Sequence, residues 1–260
     1  EANLKMKFDF SNVTGTSVKD DVSGIAATLV NNAKVMSMGK YKVLDLGNGT
    51  GYLNMTAAAG KVFSQNDDFS ISVYYRVNEE ASLSGNGFFL WSFATTENTT
   101  ATAGKYSAYR LNAQRFASSN GGYQNETGME MGTAADKGRW IHVAYTEKGG
   151  KGVLYIDGKA VKTKTGMHKN STSFGSIAVN HCWLGRAPFT ADKYLTQTLI
   201  TDFRYYGGCL TAEEIVELGK ETEILEYEMI NGDGGNNASL LKTISEAEQL
   251  LTATADYPVG

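Results

Sequence analysis

Polar side chains recur at alternate positions in segments that otherwise look like β-strands. Arg110, Asn112 and Gln114 alternate with apolar or small residues, and Glu130 stands between two methionines. In an extended strand, residues two positions apart share one face of the sheet. Guanidinium, amide and carboxylate groups on such a face can form paired hydrogen bonds with neighbouring hydroxyl groups. These residue types therefore suit recognition of a polyhydroxylated ligand.

The same alternation adds His142, which follows Ile141, and Arg186, which follows Gly185. If the strands are neighbours, their polar side chains converge on one concave sheet face. A sugar also needs an aromatic ring against its C–H face, and the candidate rings are Trp91, Tyr123, Trp183 and Phe189. We therefore predict a carbohydrate site that contains Arg110, Asn112, Gln114, Glu130, His142, Trp183 and Arg186.

A structural interpretation of the same residues stays open. Antiparallel sheets often expose one face to water, and such a face is polar by default. On this view Arg110 and Glu130 form a structural ion pair, and His142 is a core histidine. Trp91 and Trp140 are better explained as core residues than as ligand platforms.

Period-two alternation dominates the chain to about residue 206 and predicts an all-β fold. Phe69, Ile71 and Val73 are expected to lie buried between two sheets. Asp157-Gly158 between two apolar runs is a strong hairpin signal. Gly-rich turns punctuate the other strands, which is typical of a two-sheet antiparallel β-sandwich or jelly roll.

Two helical patterns follow the strands. Thr211 and Glu214 form a capping-box motif that predicts a short helix through about Leu218. A second apolar face recurs at 240–251, after an Asn-Asn cap. We therefore predict a sandwich over 1–220, a linker over 221–237, and a helical segment over 238–260. This last helix either packs back on the sandwich or begins a further module, and we favour the second.

Composition excludes several classes of partner. Lys and Arg number 24 and Asp and Glu 28, for a net charge of −4. Because the sequence has no basic cluster, we expect no nucleic-acid partner. It also has no run of 18 apolar residues, so we expect no membrane span. Cys182 and Cys209 are compatible with a disulfide or with two free thiols. The chain begins at Glu1, so we expect that an export signal or a longer N-terminus has been removed.

Seven short segments, in order, resemble the laminin-G-like, concanavalin A-like jelly roll. They include D-F-S-I-S-V-Y at 68–74, W-I-H-V-A at 140–144 and the hairpin at 154–159. The other segments lie at 8–10 with 21–24, 43–47 with 52–53, 184–186 with 200–206, and 210–215. The tail after residue 236 resembles helical segments that link modules of secreted polysaccharide-degrading proteins, particularly in gut Bacteroidetes.

The resemblance implies a non-catalytic carbohydrate-binding or accessory module of a larger secreted glycan-processing protein, with an oligo- or polysaccharide as its partner. Such a protein would be secreted, periplasmic or on the cell surface. One alternative is a glycoside hydrolase-type domain that uses the polar cluster for catalysis. Another is an adhesive module that binds protein through the loops at 98–105 and 166–172.

Catalytic members of the wider fold carry an E-x-D-x-x-E strand, which this sequence lacks. The nearest pair is Glu126 and Glu130, whose spacing on a strand is about 13 Å. Glycosidase carboxyl groups lie about 5–5.5 Å apart in retaining enzymes and about 6.5–9.5 Å apart in inverting ones. We therefore expect no catalytic residue, although the chain could still prove to be an enzyme.

The resemblance also implies a structural calcium ion. Asp202 matches the family position for the side-chain ligand, and backbone carbonyls near Asp9 and Gly47 would complete an oxygen cage. The alternative is that Asp202 bonds to a loop amide or pairs with Arg204.

Overall fold

The structure describes residues 2–232 of the chain in a computed structural model, and these residues fold into two antiparallel sheets. Sheet A contains eight strands. From edge to edge they are β15 (Lys159–Thr165), β14 (Lys151–Ile156), β13 (Trp140–Lys148), β8 (Phe69–Val77), β17 (Thr198–Gly207), β6 (Tyr41–Asp45) and β5 (Lys34–Met38), with β1 (Asn3–Phe8) paired to β17.

Sheet B contains nine strands and packs against sheet A. In order they are β12 (Glu126–Glu130), β11 (Arg115–Ser119), β10 (Tyr106–Arg110), β9 (Phe89–Ala94), β16 (His181–Leu184), β7 (Tyr52–Asn54), β4 (Ala26–Val30), β3 (Ser17–Lys19) and β2 (Val13–Thr14). The helices are α1 (Thr56–Phe63), α2 (Asn170–Ser173), α3 (Ala212–Leu218) and α4 (Thr222–Asn231), and Tyr123–Asn125 forms a single 3-10 turn.

The core between the sheets is rich in aromatic side chains. Phe69, Ile71 and Val73 are fully buried there, which confirms the sandwich predicted from their alternation. Trp91 stacks on Tyr109 in the same core, with ring centroids 4.8 Å apart. Trp91 is therefore a core residue, as its structural interpretation predicted.

Two local predictions are confirmed. Asp157 and Gly158 both have positive φ, 48° and 74°, as a tight hairpin turn requires between β14 and β15. Thr211 accepts a hydrogen bond from the Glu214 amide, and the Glu214 carboxylate accepts one from the Thr211 amide. Both signals succeeded because they depend on neighbouring residues alone.

The predicted linker at 221–237 is wrong in its first part, because α4 occupies it. Leu225 is fully buried and packs with Tyr74 and Trp140 on the outer face of sheet A. The sequence of α4 has no side-chain cap, so its stability comes from this packing and not from local signals. The predicted helical segment at 238–260 lies outside the described residues.

Cys182 and Cys209 are both free. Cys182 is buried, and burial raises the pKa of its thiol. No helix in the described ranges has the length and apolarity needed to cross a membrane.

Candidate ligand-binding site on the outer face of sheet B

A cavity of about 430 Å³ opens on the face of sheet B that points away from the core. Strands β9 to β12 form its floor, and the connection from β16 to β17 forms one wall. The lining residues are Asn86, Phe89, Tyr106, Ala108, Arg110, Arg115, Ala117, Tyr123, Glu126, Phe189 and Asp192.

Arg110 is the cation in this cavity that lacks a protein partner. It ends β10 and lies directly opposite Arg115 of β11. Like charges directly opposite each other on neighbouring strands repel. Arg115 forms ion pairs with Glu126 and with Glu130 of β12, at 3.4 Å for Glu130. Among the described residues Arg110 makes no hydrogen bond or ion pair, and its Nε is buried without a partner. A buried, unpaired donor is costly, so this guanidinium is suited to a ligand acceptor.

Asp192 is the carboxylate that faces Arg110. A turn fixes its position, because the Asp192 amide donates to the Phe189 carbonyl at 3.2 Å. The next residue, Lys193, is bonded through its backbone to Asn86 and Phe88, at 3.1 and 3.0 Å. This contact passes so close to Gly87 that a Cβ there would lie 2.3 Å from the Lys193 carbonyl oxygen. Backbone hydrogen bonds therefore hold the segment at 189–193, which forms this wall of the cavity, in a fixed position.

Burial raises the pKa of the Asp192 carboxyl, and the charge of Arg110 opposes that shift. No ion pair within 4.0 Å joins the two groups, although both line the cavity. A donor and an acceptor therefore line one cavity and stand more than 4.0 Å apart, without pairing with each other.

Aromatic rings supply the apolar part of the cavity. The ring of Phe189 lies 5.3 Å from Tyr106, 5.9 Å from Phe89 and 6.4 Å from Tyr123, measured between centroids. Tyr123 is 53% exposed and lies on the 3-10 turn. An exposed ring beside charged groups is what stacking against a sugar ring requires.

Trp183 and Arg186 lie on the same outer face but do not line the cavity. The Arg186 guanidinium covers the Trp183 ring at 4.1 Å, bonds to the Tyr52 hydroxyl at 3.1 Å, and pairs with Glu97. Trp183 is consequently buried. Its ring face is occupied by the protein's own arginine.

Asn112 and Gln114 do not continue the expected stripe, because β10 ends at Arg110. The Asn112 amide donates to the Gly85 carbonyl at 2.7 Å, and the Gln114 amide donates to the Thr133 carbonyl at 3.3 Å. Gln114 has a positive φ of 45°. Both residues therefore stabilise a turn, and their expected alignment with Arg110 was wrong.

His142 lies in the other sheet, so its expected convergence with Arg110 was wrong as well. It belongs to β13 and is buried on the outer face of sheet A, with its Nε2 2.7 Å from the Ser72 hydroxyl. Burial lowers its pKa to about 4. His142 is the core histidine of the alternative interpretation.

Glu126 and Glu130 are brought closer than their strand spacing predicted, because both bind Arg115. The guanidinium lies over Gly128, where a Cβ would be 2.8 Å from its Nη2. Both carboxylates are therefore engaged in ion pairs with Arg115. Glu130, a predicted site residue, is exposed and belongs to this ion-pair group.

The sequence interpretation missed Asp192, Arg115, Tyr106 and Phe89 as site residues. Tyr106 and Ala108 precede Arg110 at alternate positions, so extending the stripe towards the N-terminus would have found them. Asp192 lies in a long connection without periodicity, and no local signal indicates its position.

The three residues of the expected calcium site are divided between two cavities. Asp202 binds Arg204 through two contacts of 2.8 Å, and Asp9 pairs with Lys7 at 3.0 Å. Gly47 lines a different cavity from the one that Asp202 and Asp9 share. Within residues 2–232 no group of three or more His, Cys, Asp and Glu side chains is arranged to hold a metal. Calcium binding stays a prediction, which the effect of a chelator on the melting temperature would test.

The fold and the family agree. Residues 47–216 match the family model described as the concanavalin A-like lectin/glucanases superfamily. The match covers more than half of the chain, which therefore belongs to this superfamily. Among curated protein sequences, none matches this chain.

Several solved structures share the fold at low sequence identity. Domain 4 of a GH43 extracellular arabinanase from Geobacillus stearothermophilus, solved with arabinotriose, is 17% identical, with a TM-score of 0.65 over 85% of this chain and 100% of its own. Botulinum neurotoxin type C, whose cell entry depends on interaction with two ganglioside molecules, is 17% identical. Its TM-score is 0.61 over 85% of this chain and 51% of its own. The sialidase of Trypanosoma rangeli is 15% identical, with a TM-score of 0.57 over 86% of this chain and 33% of its own. The chain thus spans about half of the toxin chain and one third of the sialidase.

Proposed function

We propose that this chain is a non-catalytic carbohydrate-binding module of a larger secreted glycan-processing protein. The cavity around Arg110 is its binding site, and the ligand is an oligo- or polysaccharide. The single observation that carries the proposal is the unpartnered Arg110 guanidinium in a cavity walled by aromatic rings.

The polar and the aromatic groups of the cavity can each bind a different part of a sugar. Arg110 can donate two parallel hydrogen bonds to adjacent hydroxyl groups. Tyr123 and Phe189 offer ring faces to the C–H face of a pyranose or furanose. The volume of about 430 Å³ is within the range of small-molecule sites.

The arrangement favours binding over hydrolysis. The carboxylates of β12 pair with Arg115, and the charge that acts on the Asp192 carboxyl is that of Arg110. Hydrolysis by either common route needs two carboxyl groups that flank the scissile bond. Solved relatives of the same fold include the arabinanase domain bound to arabinotriose, which supports a binding role.

A glycan array with three proteins tests this function: the wild type, Arg110→Ala and Lys164→Ala. Removing Arg110 should weaken binding of the best ligand by about 1–3 kcal/mol, the range for hydrogen bonds to charged groups. Lys164 is exposed on β15 of sheet A and does not line the cavity, so its variant loses the same charge outside the site and should bind normally.

Both variants should unfold at the wild-type denaturant midpoint, since neither side chain is in the core. The proposal fails if the wild type binds no glycan on the array. It also fails if Arg110→Ala binds the best ligand as tightly as Lys164→Ala does.

A further inference from the structure

The charges of the cavity nearly balance. Arg115 is neutralised by Glu126 and Glu130. Arg110 has only Asp192 as its opposite charge, and the two groups are beyond ion-pair distance. The cavity therefore contains two cations and at least as many carboxylates. Despite its two arginines, it has no excess of positive charge to attract an acidic ligand.

Asp192, like Arg110, has no hydrogen-bond or ion-pair partner among the described residues. Among the described residues no hydrogen-bond donor reaches its carboxylate, although the side chain is partly buried at the wall of the cavity. An ionised carboxylate only accepts hydrogen bonds, and a guanidinium only donates them. A group that fills the gap and satisfies both must accept on one side and donate on the other.

A hydroxyl group has this property and a carboxylate does not. One sugar hydroxyl, or two on adjacent carbons, can accept from Arg110 while donating to Asp192. A uronic or sialic acid carboxylate could accept from Arg110, but it would then place a second negative charge beside Asp192. Like charges at such distances repel strongly where water is partly excluded.

We propose that Asp192 determines the specificity of this cavity, which selects uncharged sugars through a hydroxyl bridge between Arg110 and Asp192 and disfavours sugars that carry a carboxylate. The inference rests on the proposed carbohydrate-binding function. Gly87 supports it indirectly, because only glycine allows the close contact that holds the Asp192 segment in place.

Matched pairs of oligosaccharides test this inference, each pair a neutral oligomer and the uronic acid oligomer of the same length and linkage. Binding is measured at constant ionic strength for the wild type, Asp192→Asn and Glu217→Gln. Glu217 is exposed on α3 and pairs only with Lys220, so its variant controls for the loss of one negative charge.

The wild type should prefer the neutral member of its best pair by about ten-fold or more. Asp192→Asn should bind that neutral oligomer about 5- to 10-fold more weakly and should lose most of the preference. Glu217→Gln should retain both the affinity and the preference.

The possible failures are distinguishable. If Arg110→Ala abolishes binding but Asp192→Asn keeps the wild-type preference, carbohydrate binding stands and the specificity role of Asp192 is refuted. A wild type that prefers the uronic acid member refutes the role too. If the wild type binds neither member of any pair, the proposed function itself is wrong.

Discussion

The outer faces of the two sheets contrast sharply. On sheet A, α3 and α4 cover the strands and bury Tyr74, Trp140 and His142. On sheet B none of the helices within residues 2–232 covers β10 to β12, and a cavity remains around Arg110. Both faces carry polar residues in alternating strands. What lies above the strand, and not its own pattern, determines which polar residue is available to a ligand.

Polar contacts hold the cover of sheet A in place. The Tyr74 hydroxyl donates to the Leu218 carbonyl at 2.5 Å and accepts from the Glu221 amide at 3.0 Å. The Trp140 amide donates to the Glu226 carboxylate. On sheet B the polar groups of Arg110 and Asp192 have no such partners in the part of the chain that the structure describes. We therefore expect substitutions on sheet A to change stability and substitutions on sheet B to change binding.

The largest effect should follow from Leu225→Ala in α4. Leu225 is fully buried on the outer face of sheet A, and truncation of a buried leucine costs about 2–5 kcal/mol. Denaturant unfolding should show this loss, while glycan affinity of the folded variant stays the same. Ile230→Ala is the control, because Ile230 is 79% exposed in the same helix. Equal midpoints for the two variants would refute the sealing of this face by α4.

Acid should destabilise the protein through protonation of His142, which lies on the outer face of sheet A beneath α3 and α4. Burial lowers its pKa from 6.5 to about 4, with smaller and opposed effects from Asp157 and Arg204. The unfolded chain therefore binds this proton first, so the contribution of neutral His142 is complete above pH 6.5 and is lost as pH falls towards 4. The loss is up to about 3 kcal/mol, from the size of the shift.

The measurement is the unfolding free energy of wild type minus that of His142→Gln, from pH 7.5 to 4. We expect this difference to fall with pH, because the variant cannot titrate at that position. A flat difference for His142 would contradict its buried, neutral state.

The sequence predicted those parts of the fold that depend on neighbouring residues. Alternation at Phe69, Ile71 and Val73 identified the sandwich, Asp157-Gly158 identified a hairpin, and Thr211 identified a helix start. Each signal acts over a few residues, so no knowledge of the tertiary structure was needed.

The site was predicted less well, because it depends on which strands are neighbours and where they end. Arg110 was identified correctly as a polar residue on an open face, but Asn112 lies in the turn beyond the strand end. His142 has the same alternation as Arg110 and yet faces a helix cover. Asp192 reaches the cavity only through contacts between distant segments.

Tyr123→Ala should affect the open face alone. Its ring is 53% exposed at the cavity rim, and loss of aromatic stacking is worth about 0.5–1.5 kcal/mol. Affinity for the best array ligand should fall accordingly, with an unfolding free energy within about 0.5 kcal/mol of wild type. Ile177→Ala is the control, since Ile177 is 51% exposed and does not line the cavity. Unchanged affinity in Tyr123→Ala would remove this ring from the site.

A small effect should come from Thr211→Ala at the start of α3, which tests whether the cover of sheet A acts as one unit. The Thr211 hydroxyl accepts from the Glu214 amide at 3.2 Å, and loss of such a cap costs about 1 kcal/mol. Thr211→Ser keeps the hydroxyl and should retain most of the stability. Because Ile215 and Leu225 anchor successive helices on the same face, fraying of α3 should also increase amide hydrogen exchange at the α3–α4 junction. Exchange that rises only within the first turn of α3 would show that the two helices cover the sheet independently.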